Sequence, residues 1–278
     1  MSARAFLSSA IVTAVCITCK AFLNSGLCSV KVNGLQILKD ALRSRQGVLT
    51  VCNHISTLDD PMTWGVLPAR WYLSSRTTRW ALGASEVIFT NPVFSAFFSL
   101  GQTLETFRGK GIYQPAVDTA IQKLNEGRWV HLYSESKVNQ PDTYFRDKQG
   151  VAHLPRLKWG VGRILMEVNT TPVVIPMWIS GFDQLMPEGR AFPYKYLPRI
   201  GARLTVTFGE PVPAHELKKA LSLKKPPRRN GTTKARSGVE QVIAPSVRKE
   251  VTAVIHRHVE GLGRSISGKL LTDTSENL

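Results

Sequence analysis

Between Gly47 and Pro61 the chain reads Gly-Val-Leu-Thr-Val-Cys-Asn-His-Ile-Ser-Thr-Leu-Asp-Asp-Pro. Five residues apart, His54 and Asp59 can do acid–base chemistry only if they touch. On a regular helix that spacing puts them on different faces, so the residues between them must curl. If they do, the Asp59 carboxylate accepts a hydrogen bond from one imidazole nitrogen, fixes the tautomer and leaves the other nitrogen free as a base. A bare His-x4-Asp pair is usually a loop histidine beside a helix cap. The flanking sequence is what favours a site. Val48, Leu49, Val51 and Cys52 make a short apolar run of strand formers. Pro61 suits the first turn of a helix with Asp60 as its N-cap, so the pair brackets a tight strand-end loop.

The rest of the chain must build a scaffold for that loop. At 278 residues with 43% hydrophobic content, it is long and apolar enough for a real core. Strands and helices alternate, which predicts an α/β fold with a mixed central sheet wrapped by helices. The net charge is +16, from 36 Lys and Arg against 20 Asp and Glu. Such a balance seeks nucleic acid or an anionic membrane. No zinc finger, RNA-recognition signature or basic zipper is visible, which argues against nucleic acid. The cysteines, Cys16, Cys19, Cys28 and Cys52, form no disulfide framework, and Cys16-x-x-Cys19 in an apolar stretch is a weak redox signal. No metal-ligand constellation and no Gly-x-Ser-x-Gly elbow is present, so neither a metallohydrolase nor a serine hydrolase is indicated.

Residues 1–30 read as a membrane-associated segment. Residues 5–19 carry no charge, and Lys20 interrupts before the next uncharged stretch. The alternatives are a signal peptide or a mitochondrial address, and spanning is not separated from lying in the interface. Asn33-Gly34 predicts a small hairpin over Val30 to Leu38. Trp71, Tyr72, Arg76, Arg79 and Trp80 mix aromatics with cations, as groups at a headgroup boundary do. Val87 to Leu104 is uncharged but broken at Asn91-Pro92. It suits either a buried helix or an apolar lobe dipped into a leaflet.

Gly101 to Arg108 reads as a strand entering the basic turn Arg108-Gly109-Lys110-Gly111, where backbone and guanidinium could meet an anion. Gln114 to Glu126 has one apolar helical face, and Arg128 to Tyr133 is a strand whose His131 reads as a packed core residue. That strand opens into Ser134-Glu135-Ser136-Lys137. A helix starts near Lys158-Trp159-Gly160, and buried strands cover Thr171 to Trp178 and Leu204 to Phe208. A basic flexible insertion is expected at 223–238, a helix at Val251 to Gly261 and a disordered tail. The domain division is thus 1–30, an enzymatic core over 31–222, the insertion at 223–238, and a C-terminal helix and tail over 239–278.

The Asn-His-x-Ser-x-x-Asp-Asp-Pro segment resembles the first motif of the glycerolipid acyltransferase superfamily. Its Asp-Asp-Pro ending and the Lys-Trp-Gly helix resemble the tafazzin family within it, and Leu197-Pro198-Arg199 with the stretch Leu204 to Val212 resembles the fungal type of that family. The Arg108 turn matches the place of the second motif, and the resemblance implies that this arginine meets glycerophosphate. The 134–137 segment matches the third motif, usually Phe-Pro-Glu-Gly and then a small or basic residue. Here the glutamate survives as Glu135 and the basic residue as Lys137, while serines replace the proline and the glycine. Glu135 could bind glycerol hydroxyls or orient the loop. Thr171 to Trp178 resembles the fourth motif, a wall of the acyl pocket. The resemblance implies an acyltransferase with His54 and Asp59 catalytic, and Arg108, Glu135 and Lys137 holding substrate. It implies no cofactor and no metal. The partners implied are phospholipids, lysophospholipids and an anionic, cardiolipin-bearing membrane, at mitochondrial membranes facing the intermembrane space. The reaction implied is CoA-independent transacylation that remodels cardiolipin. An acyl-CoA-dependent acyltransferase would use the same residues, and the two serines leave room for a non-enzymatic membrane-binding protein.

Overall fold

The apolar run at 48–52 is the middle strand of the sheet. In the computed structural model, which describes residues 3–133, 135–222 and 233–272, the chain opens with α1 (Ala3–Leu23), β1 (Ser29–Asn33), α2 (Leu35–Arg43) and β2 (Val48–Cys52). There follow α3 (Asp59–Gly65), β3 (Trp80–Ala84), α4 (Ser85–Ile88), α5 (Pro92–Leu100) and β4 (Thr103–Thr106). Next come α6 (Pro115–Asn125), β5 (Trp129–Tyr133), the two-residue strands β6 (Phe145–Arg146) and β7 (Ala152–His153), and α7 (Gly160–Glu167). The chain then forms β8 (Val173–Ser180), α8 (Phe182–Leu185), β9 (Arg203–Phe208), α9 (Ala214–Ser222) and α10 (Thr233–Ser267).

Seven strands form one sheet in the order β1-β9-β8-β2-β5-β3-β4. β2 pairs in parallel with β5 and β8, and β3 in parallel with β5 and β4. β9 runs antiparallel to β8 and carries β1 alongside it, so the sheet is mixed. The fold is α/β with helices around a central sheet. Every residue of β2 is buried, as expected of a parallel strand covered on both faces. The carboxyl ends of β2, β5, β3 and β4 share one edge, where open α/β sheets place their sites.

The predicted hairpin at Val30 to Leu38 does not form. Asn33-Gly34 instead joins β1 to α2, with Gly34 left-handed at φ 69°. A Cβ there would stand 2.0 Å from the Phe208 carbonyl oxygen, so the site needs glycine for close approach. Leu38, Ala41 and Leu42 then bury one face of α2. α3 begins at Asp59 rather than at Pro61, and Leu58, not Asp60, occupies the cap. Trp71 and Tyr72 are buried against the core rather than lying at a headgroup boundary. Val87 to Leu104 holds α4, α5 and the start of β4. α5 has no buried residue and is capped by Asn91, whose side chain accepts from the Phe94 N–H at 2.9 Å. It is therefore not a core helix. The helix expected at 251–261 is the middle of α10. Of the basic stretch 223–238, residues 223–232 lie outside the described residues and the backbone of 233–238 begins α10. The expected disordered tail falls largely on 273–278, also outside them.

Candidate active site

The chain curls between His54 and Asp59 because Asp59 collects the loop's donors. Its Oδ2 accepts from His54 Nδ1 at 2.8 Å, from the Ile55 N–H at 2.7 Å and from the Ser56 N–H at 2.9 Å. The carboxylate is wholly buried, whereas the His54 side chain is 21% exposed. Burial pushes the Asp59 carboxyl above its ordinary range, opposed by the imidazole and the two backbone donors. With Nδ1 committed to Asp59, Nε2 is the nitrogen left for a substrate. One face of the ring stacks on Tyr133, centroids 4.5 Å apart.

Both neighbours of β2 hold this loop in place. On the β8 side the Asn53 amide donates to the Ile179 carbonyl and accepts from the Ile179 N–H, both at 2.9 Å. On the β5 side Glu135 Oε1 accepts from the His54 N–H at 2.8 Å, and Oε2 accepts from the Asn139 amide at 2.6 Å. The Asn139 N–H donates to the His54 carbonyl at 2.7 Å. Glu135 is buried, and burial pushes its carboxyl up to about 8. Each of its oxygens thus takes one protein donor, which braces the loop and leaves each oxygen a further lone pair. His131, within β5 and four residues before Glu135, is buried and bonded to Thr50 Oγ1 at 2.7 Å. Burial lowers its imidazole to about 3, so it stays neutral and packed.

Ser134 lies outside the described residues. Ser136, where the third motif usually has glycine, sits at φ 68° in the left-handed region. The loop keeps the backbone shape that glycine favours, at a cost of about 1–2 kcal/mol for a residue with a Cβ. Ser136→Gly is therefore expected to stabilise the protein by about 1 kcal/mol. Urea denaturation checks this, and an unchanged or lowered midpoint would count against the strain.

The remaining expected residues are spread along the same edge. Arg108 follows β4, three strands from β2, where it is exposed and pairs with Glu86 at 3.0 Å. Lys137 is exposed on the loop after β5. Neither touches the His54–Asp59 pair. On the opposite flank a cavity of about 300 Å³ adjoins the loop through Thr57 and is lined by Arg190 and Lys195. No spacing signal marks those two. Asp60 turns away from the site: its carboxylate accepts from Trp64 Nε1 at 2.9 Å and Arg79 Nε at 3.1 Å, with a second contact to Arg79 Nη2. Among the described residues no cluster of His, Cys, Asp or Glu could hold a metal.

A buried carboxylate fixing a strand-end histidine is the arrangement of a general base, and comparison with known proteins assigns the class. The acyltransferase family model matches residues 29–180, from β1 through β8. The chain belongs to this acyltransferase family and is an acyltransferase. Within the family it is homologous to tafazzins. It is 34% identical over 213 residues to the tafazzin of Dictyostelium discoideum, covering 74% of this chain and 69% of that one. To the Drosophila melanogaster tafazzin it is 35% identical over 205 residues, covering 74% of this chain but only 46% of the longer relative. An Arabidopsis thaliana N-acylphosphatidylethanolamine synthase is 37% identical over 210 residues, covering 73% and 69%. Relatives this widely spread do not single out a fungal type. The fold is also that of the 1-acyl-sn-glycerophosphate acyltransferase PlsC of Thermotoga maritima, with a TM-score of 0.52 at 18% identity over 90% of this chain and 83% of that one.

Proposed function

We propose that the chain is a CoA-independent phospholipid–lysophospholipid transacylase that remodels cardiolipin at a mitochondrial membrane, with His54 as general base. The observation that carries the mechanism is the bond between His54 Nδ1 and the buried Asp59 Oδ2. His54 Nε2 takes the proton from the free hydroxyl of the lysolipid. The oxygen so released attacks an ester carbonyl of the donor and forms a tetrahedral intermediate. Its collapse expels the donor's alkoxide, which takes the proton back from the imidazolium. Asp59 stabilises that imidazolium while it exists. No covalent enzyme intermediate is needed. Glu135, Asn139 and Asn53 position the loop, and Arg108 and Lys137 supply cations for phosphate from one flank. Arg190 and Lys195 offer the same from the other.

The apolar flank suits substrates drawn from a bilayer. α1 is 21 residues long and has the length and composition of a membrane span, with a mean hydropathy of 1.9 and 22% of that window buried. It packs against α3 and α5, and Lys20 Nζ donates to the Gly65 and Leu67 carbonyls at 3.3 and 3.0 Å. Outward it exposes Phe6 and Leu7, and α5, which packs against it, exposes Val93 and Phe94. A helix tethered along the domain in this way favours lying in one leaflet with α5 over crossing alone. The mitochondrial assignment rests on the tafazzin relatives.

A second reading comes from the Arabidopsis relative, whose name specifies an amide product. The same base would then deprotonate the amine of phosphatidylethanolamine. The test is transfer of a labelled chain from phosphatidylcholine to monolysocardiolipin, or to phosphatidylethanolamine, in CoA-free buffer. Labelled cardiolipin is the expected product. N-acylated phosphatidylethanolamine alone would favour the second reading, and label transfer only after acyl-CoA is added would overturn CoA independence.

A further inference from the structure

Trp129, His131 and Tyr133 alternate along β5 and so share one face of the sheet. Trp64 of α3 meets that face, edge-on to Trp129 at 5.0 Å and to His131 at 4.7 Å between ring centroids. His131 in turn stands edge-on to Tyr133 at 4.4 Å. The row ends at the His54 loop. There the Tyr133 ring stacks on the imidazole, with 26° between the planes and 4.5 Å between centroids. The far end is pinned by Thr50, whose Oγ1 accepts from Trp129 Nε1 at 2.8 Å and bonds His131 Nδ1 at 2.7 Å. The row carries no charge of its own. His131 stays neutral, and burial keeps the Tyr133 phenol protonated. The Tyr133 hydroxyl is buried beside Thr63 with no well-formed hydrogen bond, so the ring, not the hydroxyl, meets His54.

An imidazolium differs from an imidazole by one positive charge spread over the ring. Against an aromatic face the neutral ring gains stacking alone, whereas the charged ring is also attracted by the ring quadrupole. That difference falls on the state in which His54 holds the substrate's proton. Asp59 acts on the same state through Nδ1, in the plane of the ring. Held at Nδ1 by Asp59 and on one face by Tyr133, the ring keeps Nε2 in one direction. We propose that Tyr133 is a positioning residue for the general base, whose aromatic face seats the His54 ring and stabilises its protonated form. The proposal rests on the reading of His54 as the base. The ionisable groups around the two rings are Asp59, Asp60 and Cys52 from the β2–α3 segment, Glu135 and His131 from β5 and the loop after it, and Arg79 before β3. A change confined to the Tyr133 ring leaves all of them in place.

The experiment makes Tyr133→Phe in the full chain as the reference ring, then places phenylalanines of increasing fluorine content at position 133. Fluorine drains the aromatic face while nearly keeping its shape. Two quantities are read. One is the pH dependence of acyl transfer, with whichever acyl donor the protein accepts. The other is the titration of the His54 imidazole by NMR without lipid, assigned with His54→Ala. With the face drained, the imidazolium is less stable and gives up its proton more readily. The acid limb of the rate profile and the NMR titration should therefore both move to lower pH, by about 0.5–1 unit across the series. The rate on the plateau should fall about three- to tenfold, with thermal midpoints unchanged. A limb and a titration that ignore the fluorines would overturn the proposal. So would a Tyr133→Phe protein that already shows the whole shift, because the hydroxyl would then be the active group. A titration that moves while the limb stays fixed would support the contact and count against His54 as the base, which separates the two readings.

Discussion

Replacing His54 by alanine is expected to lower acyl transfer by about 10³–10⁴-fold, the range that a general base supplies together with its positioning. The fold should survive. His54 is partly exposed, and its loss removes one bond to Asp59 and the stack on Tyr133. That is a cost of about 1–2 kcal/mol, small against the domain's stability. Asp59→Asn separates support of the base from the base itself. The amide oxygen can keep the Ile55 and Ser56 N–H groups, so the loop holds its curl. The negative charge that stabilises the imidazolium is gone, and the tautomer is no longer enforced. The new NH2 group falls where Oδ1 now lies buried without a partner, which adds about 1–3 kcal/mol of destabilisation. Activity should drop by about 10²–10³-fold. Initial rates of lysolipid acylation, read beside urea denaturation of each variant, check both. Near-normal turnover by His54→Ala would remove the mechanism whatever the stabilities.

The chemistry of this chain is more legible in its sequence than its architecture. An apolar run ending in Asn53-His54, with two carboxylates before Pro61, already implies a strand-end loop, because those residue types suit few other settings. Which carboxylate does what is not legible. Asp59 and Asp60 are alike in sequence, and their roles divide only because Asp59 meets the loop's N–H groups while Asp60 meets Arg79, nineteen residues on. Contacts at such range leave no periodic trace. α2 did leave one, with Leu35, Leu38 and Leu42 at helical spacing, but Asn33-Gly34 is also a hairpin signal and outweighs it locally. The structure decides against the hairpin because β1 finds β9, some 170 residues later, as its parallel partner. Glu135 shows the same limit: its residue type fits a substrate ligand and a loop brace equally, and the His54 N–H at its Oε1, which makes it a brace, leaves no mark in the sequence.

Arg79→Ala is expected to destabilise the protein by about 3–4 kcal/mol at neutral pH, more than loss of His54, although Arg79 touches no reacting group. Its guanidinium is 12% exposed, donates to the Gly101 carbonyl at 2.9 Å and holds the Asp60 carboxylate with Nε and Nη2. Removing one partner leaves the other charge largely out of water, which costs about 3–5 kcal/mol for a fully buried pair and somewhat less here, with Asp60 30% exposed. The penalty should depend on pH with a definite sign. In the native protein burial raises the Asp60 carboxyl, but Arg79 more than offsets this and holds it below the ordinary 3.8. Its contribution is therefore full above that value and lost as the pH falls through the lowered one. Without Arg79, burial, the largest influence, is opposed mainly by the Trp64 bond, and the native carboxyl rises above its ordinary range. The variant then favours the protonated form and loses stability as the pH climbs. The gap between the two proteins should accordingly narrow from pH 7 towards pH 4. Asp60→Asn in the Arg79→Ala background should restore part of the loss at pH 7, because the uncompensated charge is what costs most. Denaturation midpoints of the single and double variants at pH 7 and 4.5 read all of this. A penalty below about 1 kcal/mol that ignores pH would class the pair with exposed salt bridges and leave the loop's carboxyl side braced by Trp64 alone.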